Sequence, residues 1–405
     1  MVEIETLEGP VPVIAYIDER LSTTAVCLAS AYGARHDPAP ECGLAHVLEH
    51  VLMSAPVDTV PSFSEHVERL GGHANAETGP DRMLFYAQTH PDDAEEISAL
   101  LYQAVLQPRL NGETLAREKR AVLQELAAAA ADPSDVVQDD FLTDLYPGHP
   151  LGRPVGGTAA TVERMDEVSV AAGHTERLLS APLTAVVVGP RMPATIDALK
   201  AGVGPDVLAR SGTASQEPVP LPEPGPVLAP RWPSEFAWVC AGARSVPYAH
   251  PHRPHFNVLA QLLGSSPSSL LYRRLRGDAG LAYAFQAWNR GYADTGAWRL
   301  LAGVEPGNGD AALAVIRGTL EQLASDGPTR EDLASARRQA QMNIMTSVDS
   351  PLECARFLAM RADRHGTWSP SAALESVRAV ESHHIRQAAA HVLEGFRVVV
   401  SPRAS

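Results

Sequence analysis

His46, Glu49 and His50 stand in the run Gly43-Leu-Ala-His46-Val-Leu-Glu49-His50-Val-Leu-Met53. Leu44, Val47, Leu48, Val51 and Leu52 recur at helical spacing, which predicts a helix carrying the two histidines, four residues apart, on one face. Two imidazoles so placed can ligate one metal ion. Glu49, one residue before His50, lies close enough to that ion to hold a water without being a ligand. The flanking apolar residues bury these polar groups, and buried polar groups demand a partner such as a metal.

The order is the inverted H-x-x-E-H signature found among metallopeptidases. A hydrolytic site of this kind takes a third protein ligand from elsewhere and leaves a fourth position open. A helix expected over residues 113–130 offers Glu118 and Glu125, seven apart and so on one face. A carboxylate from it would complete a His, His, Glu set. An acid-rich, solvated helix face accounts for the same two residues equally well.

The elements that must position these groups fall into two halves. Seven prolines between Pro218 and Pro233 exclude a continuous helix or central strand, which predicts domains at 1–214 and 234–405 joined by an extended linker at 215–233. On either side, β-rich runs alternate with long helical stretches, with strands expected at 11–17, 23–32, 83–89, 183–188, 236–243, 298–304 and 397–401. An α/β or α+β class follows. Residues 85–125 are weakly echoed by residues 300–343, and matching Leu115 to Leu333 sets Asn343 opposite Glu125. If the halves are duplicates, they share a fold and not a set of polar site residues.

The chain has 405 residues, 45% of them hydrophobic, enough for more than one buried core. Its 33 Lys and Arg against 48 Asp and Glu leave a net charge of −15. That charge repels phosphate backbones and anionic lipid, so neither nucleic acid nor membrane is expected as a partner, while basic peptides are favoured. Cys27, Cys42, Cys240 and Cys354 show no paired spacing and read as reduced thiols. No apolar run reaches bilayer length and the N-terminus lacks a basic, then apolar, leader, so a cytoplasmic location is expected.

Several dispersed segments, in order, resemble the pitrilysin-like zinc metallopeptidases of family M16, which include insulin-degrading enzymes and mitochondrial processing peptidase. They are Gly33-Ala-Arg-His-Asp37 followed by the His46 to His50 motif, then Gly71-Gly-His-Ala-Asn75-Ala76-Glu-Thr78, Glu118-Lys-Arg-Ala-Val-Leu-Gln-Glu125, and Leu275-Arg276-Gly-Asp-Ala-Gly280-Leu281-Ala282-Tyr283. The segment 263–269 holds fewer glycines than the family's usual loop before the last of these. The resemblance implies an α+β fold of two related α/β-sandwich halves enclosing a chamber, with one Zn2+ per chain on His46, His50 and Glu125. It implies Glu49 as the base that takes a proton from the water held there, and Glu118 as a supporting catalytic carboxylate. Asn75 and Ala76 would offer edge-strand backbone to an extended peptide, and Arg276 and Tyr283 would bind substrate and steady the oxyanion.

The activity so implied is endoproteolysis of short or unfolded peptides inside a closed chamber. A chain of this length supplies half of the full enzyme in this family, so a homodimer, or a heterodimer with a paralogous subunit, is expected. Two other readings stay open: a maturation protease that removes a leader from one precursor with a paralogous partner, and a noncatalytic assembly subunit. His250, His252 and His255 are interleaved with prolines that break helical register, and they read as a surface turn; His383 and His384 read as the start of a helix.

Overall fold

The computed structural model describes residues 3–7, 11–191, 219–223, 225, 229–264, 266–278, 280–361 and 369–402. Much of the expected linker, residues 215–218, 224 and 226–228, lies outside them. Contacts divide the chain into two compact units, Met1–Ala127 with Arg153–Glu217 and Thr346–Ser369, and Ala128–Gly152 with Pro218–Met345 and Pro370–Ser405.

The first unit is built on the strands β1 (Glu3–Leu7), β2 (Val13–Ile17), β3 (Thr24–Ser30), β4 (His73–Thr78), β5 (Met83–Thr89) and β6 (Leu183–Gly189), in the sheet order β1-β2-β6-β3-β5-β4. The expected strands in this half are found, and β1 is an addition: it pairs antiparallel with β2, Leu7 opposite Val13. Every residue of β3 is buried, because the strand is covered on both faces. Val26 and Leu28 join one core with helices α1 (Leu44–Ser54) and α2 (Ala94–Leu106). The intervening Ala25, Cys27 and Ala29 face the other way. Two further helices follow in sequence, α3 (Gly112–Ala131) and α4 (Pro133–Leu145).

The second unit carries β7 (Ala237–Ser245), β8 (Ala282–Gly291), β9 (Gly296–Val304) and β10 (Arg397–Ser401) in the order β10-β7-β9-β8. Its helices are α5 (Arg253–Leu263), α6 (Gly309–Ser325), α7 (Arg330–Asp349) and α9 (Ser382–Glu394); α8 (Pro351–Ala359), between α7 and α9 in sequence, belongs to the first unit. Ala237, Val239, Ala241 and Ala243 of β7 share a core with Leu259 and Leu263 of α5, Ile316 and Leu320 of α6, and Ile385 and Ala389 of α9.

The two folds are duplicates. With β1 and β2 set aside, each places its last strand beside its first, its first beside its third and its third beside its second, all antiparallel: β6-β3-β5-β4 in one, β10-β7-β9-β8 in the other. The match of Leu115 to Leu333 also holds, since both residues are buried in 20-residue helices, α3 and α7, at the same position from the start. The next helices keep step: Asp132 caps α4 before Pro133, and Ser350 caps α8 before Pro351.

These two equivalent helices cross the division expected from sequence. Cys354, Ala355, Leu358 and Ala359 of α8 close the second face of the first sheet, against Ala25, Cys27, Tyr86 and Val186. Val137, Phe141 and Leu145 of α4 pack on Cys240, Tyr292 and Ala297 of the second unit. Arg244 donates to the Leu145 carbonyl at 2.7 Å, and Arg397 donates to both oxygens of Asp144. All four cysteines are buried and free. No helix among the described residues is long and apolar enough to cross a membrane.

Candidate metal centre and active site

The metal helix α1 begins at Gly43, whose φ of 95° lies in the left-handed region that favours glycine. Asp37 caps it: its carboxylate accepts from the Gly43 N–H at 2.9 Å and the Ala45 N–H at 3.2 Å, and the Tyr32 hydroxyl donates to it at 2.5 Å. These groups satisfy helix N–H donors that would otherwise be left without partners. A second segment braces the same end. A Cβ on Gly43 would come within 2.5 Å of the Gly156 carbonyl oxygen, and one on Gly157, at φ 76°, within 2.2 Å of the Cys42 carbonyl oxygen. The Thr161 hydroxyl donates to that Cys42 oxygen at 2.7 Å.

Leu44, Val47, Leu48, Val51 and Leu52 are all buried, which turns His46 and His50 together toward α3. There Glu125 Oε2 lies 3.6 Å from His46 Nε2 and 3.4 Å from His50 Nε2. These three are the one group of potential ligands that converges among the described residues, with all donor atoms within 4.8 Å of one another. A tetrahedral ion with bonds of about 2.1 Å holds its ligand atoms about 3.4 Å apart, so the set fits zinc. The carboxylate is about half exposed while both imidazoles are largely covered, so the set is open on one side. Glu125, and not Glu118, is the carboxylate that groups with both Nε2 atoms.

Glu118 sits behind the site. Its Oε2 is 3.5 Å from His50 Nδ1, and Arg117 Nε donates to its other oxygen at 2.9 Å. A carboxylate behind a ligating histidine holds the ring orientation and raises its basicity. The Nδ1 of His46 is buried without a hydrogen-bond partner, near Gly156. Burial, and then the neighbouring His50, lower the pKa of His46 to about 4. Its ring is therefore neutral at ordinary pH, as a ligand must be.

Glu49 accepts a hydrogen bond from the Thr78 hydroxyl at 2.5 Å. Burial raises its pKa above the usual carboxylate range, and the Thr78 bond acts in the opposite direction. Thr78 closes β4, the terminal strand of the first sheet. Ala76 on that strand is buried opposite Phe85, and the exposed Asn75 faces Tyr86 across the pair. A cleft of about 400 Å³ bounded by Leu115, Lys119, Arg120 and Glu167 lies beside α3 and touches none of the proposed ligands.

Arg276 and Tyr283 belong to the second unit. Arg276 is exposed in the helical turn Tyr272–Asp278, its guanidinium 5.3 Å from the Tyr272 ring centre, and Tyr283 is in β8. Sequence reasoning left four contributors without a role. Asp37 and Thr78 were visible in motifs whose tasks the spacing does not state, and the Gly156-Gly157 turn has no signal of its own beyond the glycine pair.

The sequence and the fold both match known proteins. Residues 13–159 match the description Insulinase (Peptidase family M16), and residues 199–340 match Peptidase M16 inactive domain. An uncharacterised zinc protease of Mycobacterium leprae is 28% identical over 351 residues, covering 85% of this chain and 78% of that protein. A protease from Helicobacter pylori superposes with a TM-score of 0.84 at 17% identity, over 99% of both chains. A Pseudomonas fluorescens structure described as a peptidase M16 inactive domain gives 0.83 at 16%, over 98% of this chain and 97% of that one. With both halves matched and the fold shared end to end, the chain belongs to peptidase family M16.

Proposed function

We propose that the protein is a zinc-dependent endopeptidase that hydrolyses short or unfolded peptides, with its one metal held by His46, His50 and Glu125. The observation that carries this reading is the convergence of those three donors at ion-binding spacing, with Glu49 beside them on the same helix. A noncatalytic subunit has no use for such a set. Bound zinc supplies a Lewis acid that polarises the scissile carbonyl and acidifies water.

The chain's own residues supply the rest. Glu49, its carboxylate pKa raised by burial, is a stronger base than an exposed glutamate and takes the proton from the attacking water. The same carboxyl group then delivers that proton to the leaving amine. Thr78 holds the carboxylate through one of its oxygens. Glu118 holds the His50 ring from behind. The free edge of β4 at Asn75 and Ala76 pairs with an extended peptide and so selects for substrates without folded structure of their own. Arg276 and Tyr283 hold the substrate and steady the oxyanion, by resemblance to the family. The enclosed chamber, and a dimer with a second copy or a paralogous chain, rest on the same resemblance.

The test is mass spectrometry of an unstructured peptide mixture incubated with the purified chain and, separately, with Glu49→Gln. Wild-type cleavage that the variant lacks, at equal zinc content, supports the reading. Equal cleavage by both removes Glu49 from the chemistry. No cleavage by either moves the proposal to an enzyme that needs a paralogous partner.

A further inference from the structure

Five histidines, three read from the sequence as a surface turn and two as the start of a helix, lie in one continuous array. Ring centres are 4.9 Å apart for His250 and His252, 4.9 Å for His252 and His255, 4.1 Å for His255 and His384, and 3.9 Å for His384 and His383. The first three lead into and begin α5, and the last two begin α9, so the array joins the starts of two packed helices of the second unit. None of these residues contributes to the centre on α1.

We propose that this array is a second metal site, which captures a borderline divalent ion such as Ni2+, Cu2+ or Zn2+ on imidazole nitrogen and ties α5 to α9. A donor set of imidazoles suits these ions and not Ca2+ or Mg2+, which take oxygen.

Nitrogen bookkeeping narrows the ligands. His250 Nδ1 accepts the His252 N–H at 3.1 Å, and His384 Nδ1 accepts the Glu381 N–H at 3.0 Å. In their neutral forms these two rings therefore carry the proton on Nε2 and offer no free lone pair. His252, His255 and His383 remain as donors. His383 Nδ1 is 3.3 Å from Glu381 Oε2, which leaves Nε2 for an ion and places a carboxylate behind a ligating histidine.

The rings form a line and do not yet converge on a point. Capture requires His252 and His383, both exposed, to turn toward the half-buried His255. His384 is stacked on His255 and tilted against His383, so its ring swings aside when those two share an ion.

This site does not rest on the peptidase reading, and its test avoids turnover. The full chain carrying His46→Ala and His50→Ala, which lacks the first site, is titrated with Ni2+ while metal content after desalting and the melting temperature are recorded. The expected result is one equivalent bound and a higher melting temperature. Adding His252→Ala and His255→Ala, or His383→Ala alone, abolishes both effects, and Glu381→Gln weakens binding about tenfold. If the starting variant does not fold, zinc-loaded wild type is titrated with Cu2+, and nitrogen hyperfine structure in its electron paramagnetic resonance spectrum reads imidazole ligation. Absence of uptake, or uptake unchanged by the substitutions at the two helix starts, overturns the proposal.

Discussion

Glu49 and Thr78 show how little separates a base from a buried carboxylate. The Thr78 hydroxyl favours the ionised form of Glu49 against a burial that disfavours it. Thr78→Val removes that donor, so the Glu49 pKa rises and the acidic limb of the kcat/KM pH profile moves to higher pH, with zinc content unchanged. His50→Ala, by contrast, loses zinc and turnover together, which metal analysis and a peptide assay measure side by side. Asp37 gives a stability prediction. Burial pushes it from 3.8 up to about 6 in spite of its three donors. The folded state thus holds a proton that the unfolded chain has already released, and this contribution is present below about pH 4 and lost as pH rises through 6. Asp37→Asn does not titrate, so the metal-free variant gains stability relative to wild type across that window, by about 3 kcal/mol at most, measurable by denaturant titration at each pH. The two histidines and Glu49 were legible because their chemistry is written within five consecutive residues. The roles of Asp37 and Thr78 were not, since a cap and a hydrogen bond to a base depend on where loops return.

At the scale of elements, the site is two helices and the turn that braces one of them. A Cβ on Gly156 would meet a Leu126 methyl at 2.8 Å and His46 Nδ1 at 3.4 Å. Gly156→Ala therefore displaces the His46 ring and is expected to weaken zinc binding while leaving most of the fold intact, a split that zinc titration and circular dichroism can separate. The duplication was legible as a register: the match of Leu115 to Leu333 survives as two helices of equal length at equal phase. The difference between the halves was legible at one position, because the same match sets Asn343, which has no carboxylate, opposite Glu125. Helix exchange was not, since α4 and α8 present to their distant partners the same small and apolar residues that they would present to their own sheet. The histidine array was also hidden, its two parts lying at the starts of helices far apart in the chain.

For the whole molecule, the charge of −15 predicts faster cleavage of basic than of matched acidic peptides at low salt, a gap that closes as ionic strength rises. Equal rates at low salt would remove the electrostatic preference. The reciprocal placement of α4 and α8 also bears on how the chain is made. During synthesis the second face of the first sheet, lined by Ala25, Cys27, Tyr86 and Val186, has no cover until residue 359 leaves the ribosome. A catalytic half released as residues 1–214 is then expected to aggregate or to bind a hydrophobic dye, and to recover only when a fragment containing 351–359 is supplied. The compact units of this chain are not its sequence-adjacent halves. On the proposed reading, zinc affinity is expected to be a property of the nearly finished polypeptide, although His46, His50 and Glu125 are all present by residue 125.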